Sequence, residues 1–306
     1  MSGQVQTLDK SIDLEDGVRL VYQEPREFFR YHSIYHGQKY AGYFFRRSQE
    51  TMMEIATIFD CGYFIKKDEH IIGGVFLKPN FMCDLFVVPP YKDYEGLVTK
   101  LLNYLKKISS NDEKIILRDV VEEQVATYEQ NGCKVQEVNY WMIRPTQPMQ
   151  VVLPEGYSSK TVEQEDTDDI AGLIMKAYKA NPAYKQIGSK EDYVQHVKEF
   201  IENYKNYEIM NESSRVIIEN STNMIVGVCL HMEFEEYPLI MSLAVDPEHQ
   251  QKGLGRFLLT HSINISSKEY PATRLAVIQD NPAIKLYEDL GFIKNKSITE
   301  MYLVTE

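Results

Sequence analysis

The sequence predicts an α/β fold of the α+β kind, in which a sheet flanked by helices is built twice in one chain. Three observations predict it. Segments with the two-residue period of strands and the 3.6-residue period of helices interleave along all 306 residues, as layered sheet-and-helix folds require. A β-branched and apolar run, Leu239 to Val245, breaks at Asp246-Pro247 and passes through Gln250-Gln251-Lys252-Gly253-Leu254-Gly255 into a helical pattern. Stretches of the second half also repeat the first in the same order.

Taken in order, Gly17 to Gln23 is a first strand, and Arg26 to Phe59 is helical, divided near Gly37 and Gly42. That helical region is crowded with Phe28, Phe29, Tyr31, Tyr35, Tyr40, Tyr43, Phe44 and Phe45, which suit helix faces packed on a sheet better than a substrate wall. Strands are expected at Tyr63–Ile65, Ile71–Leu77 and Met82–Val88. A helix then runs from Gly96 to about Ile108, with Leu97, Leu101, Leu105 and Ile108 on one face. Lys114–Val120 is a strand, Glu122–Gln130 a helix and Lys134–Ile143 a strand pair. Pro145, Pro148 and Pro154 then remove backbone donors within ten residues, so the linker belongs here, between domains 1–147 and 148–306.

The second half restarts with a strand at Ser158–Glu163 and a helix at Asp168–Tyr178. Ser189 and Asp192 cap a further helix that reaches about Tyr204. Strands follow at Arg215–Glu219 and Met224–Met232, then the strand–glycine–helix run, a strand at Thr273–Ile278, a helix at Pro282–Leu290 and closing strands from Phe292 to Val304.

Sliding the second half back by 157 residues sets Val245-Asp246-Pro247 on Val88-Pro89-Pro90, Gly253 on Gly96 and Leu258-Leu259 on Leu101-Leu102. Near the end the offset becomes 159, and Leu286 to Gly291 falls on Thr127 to Gly132. Two ordered matches point to duplication. The differences carry function. Gln250 becomes Asp93, Gln251 becomes Tyr94, Lys252 becomes Glu95 and Gly255 becomes Val98.

A helix N-terminus carries unpaired amides and the positive dipole end, and glycines let a backbone approach a bulky anion. Lys252 and Arg256 add positive charge to the second copy's turn, so the chemistry favoured there is capture of a pyrophosphate. The dinucleotide fingerprint needs three glycines at another spacing, and the Walker pattern needs Gly-Lys-Ser/Thr; neither is present. The run resembles motif A of the GNAT acyltransferase superfamily, Q/R-x-x-G-x-G/A, through Gln250, Gly253 and Gly255, with Leu243-Ala244-Val245-Asp246-Pro247 as the preceding strand. The resemblance implies two tandem GNAT-like domains, each a mixed, mostly antiparallel sheet flanked by helices. It implies acetyl-CoA as cofactor, with Leu243, Ala244 and Val245 along its pantetheine arm and Gln250, Gln251, Lys252, Gly253, Leu254, Gly255 and Arg256 around its pyrophosphate. The first copy, with Asp93 and Glu95 repelling phosphates and Val98 crowding them, is expected to keep the fold without the cofactor.

Asp280 to Phe292 resembles motif B of the same superfamily, N-x-x-A-x-x-x-Y-x-x-x-G-F. By itself the stretch is a short helix with Asn281 as cap, Pro282 at its start and Gly291 at its end. The resemblance makes Tyr287 the acid that protonates the departing thiolate and gives Asn281 a cofactor or substrate contact. The motif's asparagine stands seven residues before the tyrosine, where this chain has Asp280, and Asn281 is one place late. No general base is assigned; His231, Glu233, Glu235 and Glu236 are the nearest groups of the right chemistry, and an acidic solvated turn accounts for the three glutamates equally well.

The net charge of −12, with −9 of it in residues 151–306, excludes a phosphate-neutralising surface and so a nucleic-acid partner. It suits a primary amine of a small molecule or peptide as acceptor. No apolar run is long enough to cross a membrane. Cys61, Cys83, Cys133 and Cys229 lack metal spacing and read as reduced thiols of a cytoplasmic protein. The expected function is an N-acetyltransferase acting by direct attack, with a pseudo-dimer inside one chain. The alternative is a non-catalytic acyl-CoA sensor. A tRNA-dependent aminoacyl transferase, also built on tandem GNAT-like halves, is disfavoured by motif A and by the charge.

Overall fold

The computed structural model describes residues 8–39, 61–110 and 112–304, with the side chains of 36–39 left aside. They fall into two compact units, residues 1–139 with 295–306, and residues 140–294.

The first unit is a sheet of order β1 (Ser11–Asp13), β2 (Val18–Tyr22), β3 (Gly62–Lys67), β4 (His70–Lys78), β5 (Phe81–Val87), β6 (Ile115–Val121) and β13 (Ile293–Leu303). Neighbours are antiparallel except β5 and β6. Alternation along the strands sends one set of side chains to each face. Tyr63, Ile65, Val75, Leu77 and Met82 pack with Leu97, Val98, Leu101 and Leu105 of α2 (Tyr94–Ile108), and Tyr128 of α3 (Val125–Gln130) joins them. On the other face Phe64, Phe76 and Phe86 receive Phe28 and Phe29 of α1 (Pro25–Lys39). Gly62 and Gly74 make room there: a Cβ on Gly62 would meet the Phe28 ring at 2.8 Å, and one on Gly74 the Phe86 ring. The aromatics of α1 are therefore core and not a substrate wall; Tyr40, Tyr43, Phe44 and Phe45 lie outside the described residues.

The second unit has the sheet order β7 (Lys134–Pro145), β12 (Ala272–Ile278), β11 (Tyr237–Val245), β10 (Met224–Phe234), β9 (Arg215–Glu219) and β8 (Tyr157–Thr161). Here β11 and β12 are the parallel pair. One face carries α7 (Leu254–Ser266) and α8 (Ala283–Asp289), with Leu254, Leu258, Ile263 and Tyr287 against Ile217, Cys229, Leu275 and Val277. The other carries α4 (Thr167–Ala180) and α5 (Lys190–Tyr204), with Ile170, Ile174, Val197 and Phe200 against Val216, Val228, Leu230 and Ala244. A one-turn-and-a-half helix, α6 (Glu208–Ser213), had no periodic signal and lies between α5 and β9.

Three expectations change. Lys134–Ile143 is not a pair but the single strand β7, running on to Pro145. The closing strands from Phe292 are likewise one strand, β13. The compact units also divide inside β7, and β13 joins the first unit, where the sequence division after residue 147 assigns it to the second. The reason is the open edge of β6. Strand β13 pairs with it antiparallel from Ile298↔Val121 to Leu303↔Ile115, and buries Met301 and Leu303 in the first core. Of the cysteines, Cys83, Cys133 and Cys229 are buried and Cys61 is half-buried.

Candidate active site in the second unit

Strand β11 carries the site because it loses its neighbour halfway along. Its ladder to β12 holds Leu239↔Arg274 and Ile240↔Leu275 only. On the other side, register to β10 skips Met241 between Ile240 and Ser242, a β-bulge. Bulges re-aim a strand and collect beside active sites. Beyond it, residues 242–245 stay paired with β10 while their other edge faces a gap between two parallel strands. Such an edge offers backbone N–H and C=O groups to an extended amide chain, as a missing strand would. Leu243 and Val245 turn to the face of α7 and α8, and Ala244 to the opposite core.

At the end of β11 the chain turns under tight local control. The Asp246 carboxylate accepts from the Glu248 amide at 3.0 Å and from Lys176 Nζ at 2.8 Å. Burial works against that charge, yet the Lys176 hydrogen bond and the amide outweigh it and hold the carboxyl below its ordinary pKa. His249 Nδ1 lies 3.0 Å from the Tyr157 hydroxyl, and Gln250 Nε2 donates to Val245 O. Gln251 (φ +60°) and Gly253 (φ +86°) then alternate into left-handed backbone before α7 begins. Alternating conformations of this kind turn successive amides to one side, forming an anion-binding nest.

The residues present fit a pyrophosphate. Gly253 is the N-cap of α7 and no side chain caps the helix. The amides of Leu254, Gly255 and Arg256 have no acceptor inside the helix; the first intrahelical bond is Phe257 N to Gly253 O. Gln250, Gln251, Lys252 and Arg256 are exposed around this end. Gly255 has a different task from the one its motif suggests. A Cβ there would meet Leu286 Cδ2 at 3.3 Å, so the glycine lets the first turn of α7 close against α8 at the residue before Tyr287.

The structure thus brings Leu243, Val245, Leu254, Leu286 and Tyr287 into one cluster. Tyr287 is buried, edge-on to Phe292 at 6.0 Å. Burial first, then the nearby Tyr178 and Cys229, push its phenol well above the usual tyrosine pKa, so it is a proton donor at neutral pH. Asn281 is buried too, and its Oδ1 already accepts from the Ala283 amide at 2.9 Å and from Asn181 Nδ2 at 3.2 Å. Its carbonyl oxygen is a structural acceptor. Sequence reasoning missed Tyr178, at the end of α4, and Asn181 and Tyr184, in the α4–α5 connection, as neighbours of the candidate site; the repeated Asn-Pro-Ala at 181 and 281 was the signal available.

The groups considered as bases are engaged elsewhere. His231 is fully buried between Thr273 Oγ1 (3.1 Å) and Ser266 Oγ (3.3 Å), and burial lowers its pKa to about 3. Glu233 accepts from the hydroxyls of Tyr207, at 2.6 Å, and Tyr270. Glu235 and Glu236 form the β10–β11 turn, at the far end of β11 from the glycine loop, roughly 25 Å along the strand.

In the first unit the corresponding elements close the same place. The parallel ladder of β5 and β6 runs from Phe81↔Ile116 to Cys83↔Arg118 and then stops. Helix α2, however, starts at Tyr94, so the residues matching Gln251, Lys252 and Gly253 are wound into its first turn. Asp93 caps it, its Oδ1 accepting from Gly96 N at 2.8 Å. Tyr94, in the place of Gln251, lies hydroxyl to hydroxyl with Tyr128, the counterpart of Tyr287, at 3.2 Å.

In the second unit, then, the sheet parts between two parallel strands, with an uncapped glycine turn after one and a tyrosine-bearing helix after the other. The family model described as an acetyltransferase (GNAT) domain matches residues 180–303, and this stretch is a GNAT acetyltransferase domain. The chain is similar to the ribosomal protein bS18-alanine N-acetyltransferase of Escherichia coli (strain K12), 49% identical over 55 residues. That match spans 17% of this chain and 37% of the relative. Among solved structures, a GCN5-related N-acetyltransferase from Sphaerobacter thermophilus superposes with a TM-score of 0.71 at 16% identity, covering 96% of this chain and 98% of that one. A tandem GNAT protein from the clavulanic acid biosynthesis pathway gives 0.65 at 13% identity, over 94% and 99%. The fold of the whole chain is that of tandem GNAT proteins.

Proposed function

We propose that the protein transfers an acetyl group from acetyl-CoA to a primary amine of a small molecule or peptide, by direct attack, using the second unit only. The observation that carries this reading is the uncapped N-terminus of α7, set at the end of a strand whose edge is open, against a helix that holds a buried, protonated tyrosine. When bound, acetyl-CoA supplies the activated acyl group. The amides from Gln251 to Arg256, with Lys252 and Arg256, hold its pyrophosphate. The open edge of residues 243–245 takes up its amide-bearing arm and offers donors to the thioester carbonyl. Tyr287 donates its phenolic proton to the sulfur as the C–S bond breaks. Asn281 supports this arrangement by accepting from the amide of Ala283, the first residue of α8.

The similarity to a ribosomal-protein alanine acetyltransferase makes a peptide α-amine the first acceptor to try. Among the described residues no helix is long and apolar enough to cross a membrane, and action on cytoplasmic amines is part of the proposal. The test is a panel of amines and N-terminal peptides with acetyl-CoA, read by thiol release and by the mass of the product. Acetylation of any of them is the expected result. Binding of acetyl-CoA with no turnover on the panel, or in water, would support the acyl-CoA sensor instead.

A further inference from the structure

The chain contains Asn-Pro-Ala twice, at 181–183 in the α4–α5 connection and at 281–283 leading into α8. The two triplets fold alike. In each, the asparagine Oδ1 accepts from the alanine amide two residues on, at 3.0 Å for Asn181 and 2.9 Å for Asn281, the usual way asparagine closes a turn on itself. Those backbone donors fix which side-chain atom is oxygen, and so leave the Asn181 Nδ2 as the outward group. It donates to Asn281 Oδ1 at 3.2 Å. Asn281 is only 6% exposed and Asn181 half-buried, so the acceptor lies where a polar group needs its partner.

What hangs on each side is the reaction's own furniture. Tyr184 N bonds back to Asn181 O at 3.1 Å, and the Tyr184 ring stacks on Tyr178 with centroids 4.3 Å apart and planes 7° from parallel. Tyr193 of α5 stands edge-on to Tyr178 at 6.2 Å. On the other side, Asn281 starts the helix that carries Tyr287 six residues on. Tyr178 and Tyr184 are both in electrostatic reach of the Tyr287 phenol.

We propose that Asn181 is a positioning residue for the reaction: its amide latches the α4–α5 connection onto the start of α8 and so sets the stacked Tyr178–Tyr184 pair beside Tyr287. This rests on the acetyltransferase reading of the site. The donor has one direction, which makes the test sharp. Asn181→Asp keeps the oxygen that closes its own turn but has no proton to give and sets a charge against Asn281 Oδ1. Asn281→Asp keeps an oxygen for both of its donors, Ala283 N and Asn181 Nδ2.

The experiment uses the full chain in three measurements: acetyl-CoA affinity by calorimetry, turnover on the panel's acceptor (or thiol release into water where none is found), and hydrogen exchange of peptides covering 181–189 and 281–287. For Asn181→Asp the expected result is an acetyl-CoA Kd within about twofold of wild type, kcat lower by roughly 10- to 100-fold, the scale of a small misplacement at a reacting centre, and faster exchange in both peptides. Asn281→Asp, which keeps the acceptor of the latch, should leave exchange of the 181–189 peptide at the wild-type rate. Unchanged exchange and kcat in Asn181→Asp would overturn the latch. So would an Asn281→Asp variant whose 181–189 peptide exchanges as fast as that of Asn181→Asp, since that requires the Asn281 amide hydrogens and not its oxygen. Failure of wild type to bind acetyl-CoA would defeat the reading of the site separately, and with it the positioning role, whatever the exchange shows.

Discussion

In the proposed reaction Tyr287 has to stay protonated at the pH where amines react, and it has to reach a sulfur. Burial serves the first, holding the phenol neutral across the pH range in which amines become nucleophilic. Its own ionisation should therefore not limit turnover up to about pH 10, the ordinary tyrosine value, and a rate that climbs to that pH and stays level is the expected profile. Tyr287→Phe removes only the hydroxyl. Acetyl-CoA affinity should shift by less than about 1 kcal/mol, while turnover falls by roughly 10²–10⁴, because the proton matters only as the bond breaks. Equal turnover at equal occupancy would take Tyr287 out of the chemistry. His231 illustrates the opposite use of burial. Its folded pKa is about 3 against 6.5 unfolded. Below 6.5 the unfolded chain takes up a proton that the folded one refuses, so stability drops as pH falls from 6.5 towards 3. At pH 5 this costs about 2 kcal/mol. Urea midpoints at pH 7 and pH 5 should thus converge in His231→Gln relative to wild type; an identical spread in both would show that His231 does not drive the acid loss. At Gly255, where Leu286 sits 3.3 Å from the site of a Cβ, valine is expected to lower the melting temperature as well as acetyl-CoA binding, and Gly255→Ala is the milder probe.

Helices α2 and α7 begin at matching places in the duplicated sequence but differ at their first amides. In α7 these amides have no intrahelical acceptor and no side chain caps them; in α2 the chain winds one turn earlier and Asp93 supplies the negative charge itself. The acids at 93 and 95 predict, from the sequence, repulsion of a phosphate. What the structure adds is occupation, the Asp93 carboxylate already taking the Gly96 amide. It could not be read from residue types, because it depends on where the helix begins, and propensity fixes a helix end only to within a few residues. Asp93→Ala should cost about 1 kcal/mol in the stability of the first unit, the ordinary value of a lost N-cap, without creating a second acetyl-CoA site. Calorimetry on wild type and variant should give one site per chain in both, and two comparable sites in either would refute the division of labour. The anion loop of the second unit was legible for the converse reason: strand, Asp-Pro, glycines and helix are contiguous, so local chemistry decides them. The Asn181–Asn281 bond joins positions 100 residues apart, and no local pattern announces a partner at that range.

At the scale of the molecule, most strands and helices and their repetition were legible, whereas β1, α6 and the ownership of the last strand were not. Pro145, Pro148 and Pro154 do break the chain, but β7 runs through Tyr140, on the far side of the unit boundary, before they do so. Which sheet edge a strand fills is a matter of long-range pairing, and a strand's composition says only that it needs one. Residues 1–147 alone would present the edge of β6 unpaired and lack Met301 and Leu303 from their core. That fragment is expected to be aggregated or molten, with weak near-ultraviolet circular dichroism, and to gain structure when a peptide covering 293–304 is added. A cooperative unfolding transition of the fragment without the peptide would contradict this.

The placement of β13 also sets a timetable for synthesis. The first unit leaves the ribosome first but cannot finish its sheet until the roughly 150 residues of the second have followed, a wait of some ten to thirty seconds at about 5–20 residues per second. For that interval the nascent chain carries a bare, apolar strand edge, Ile115 to Val121, and the half made first is the half most in need of a chaperone.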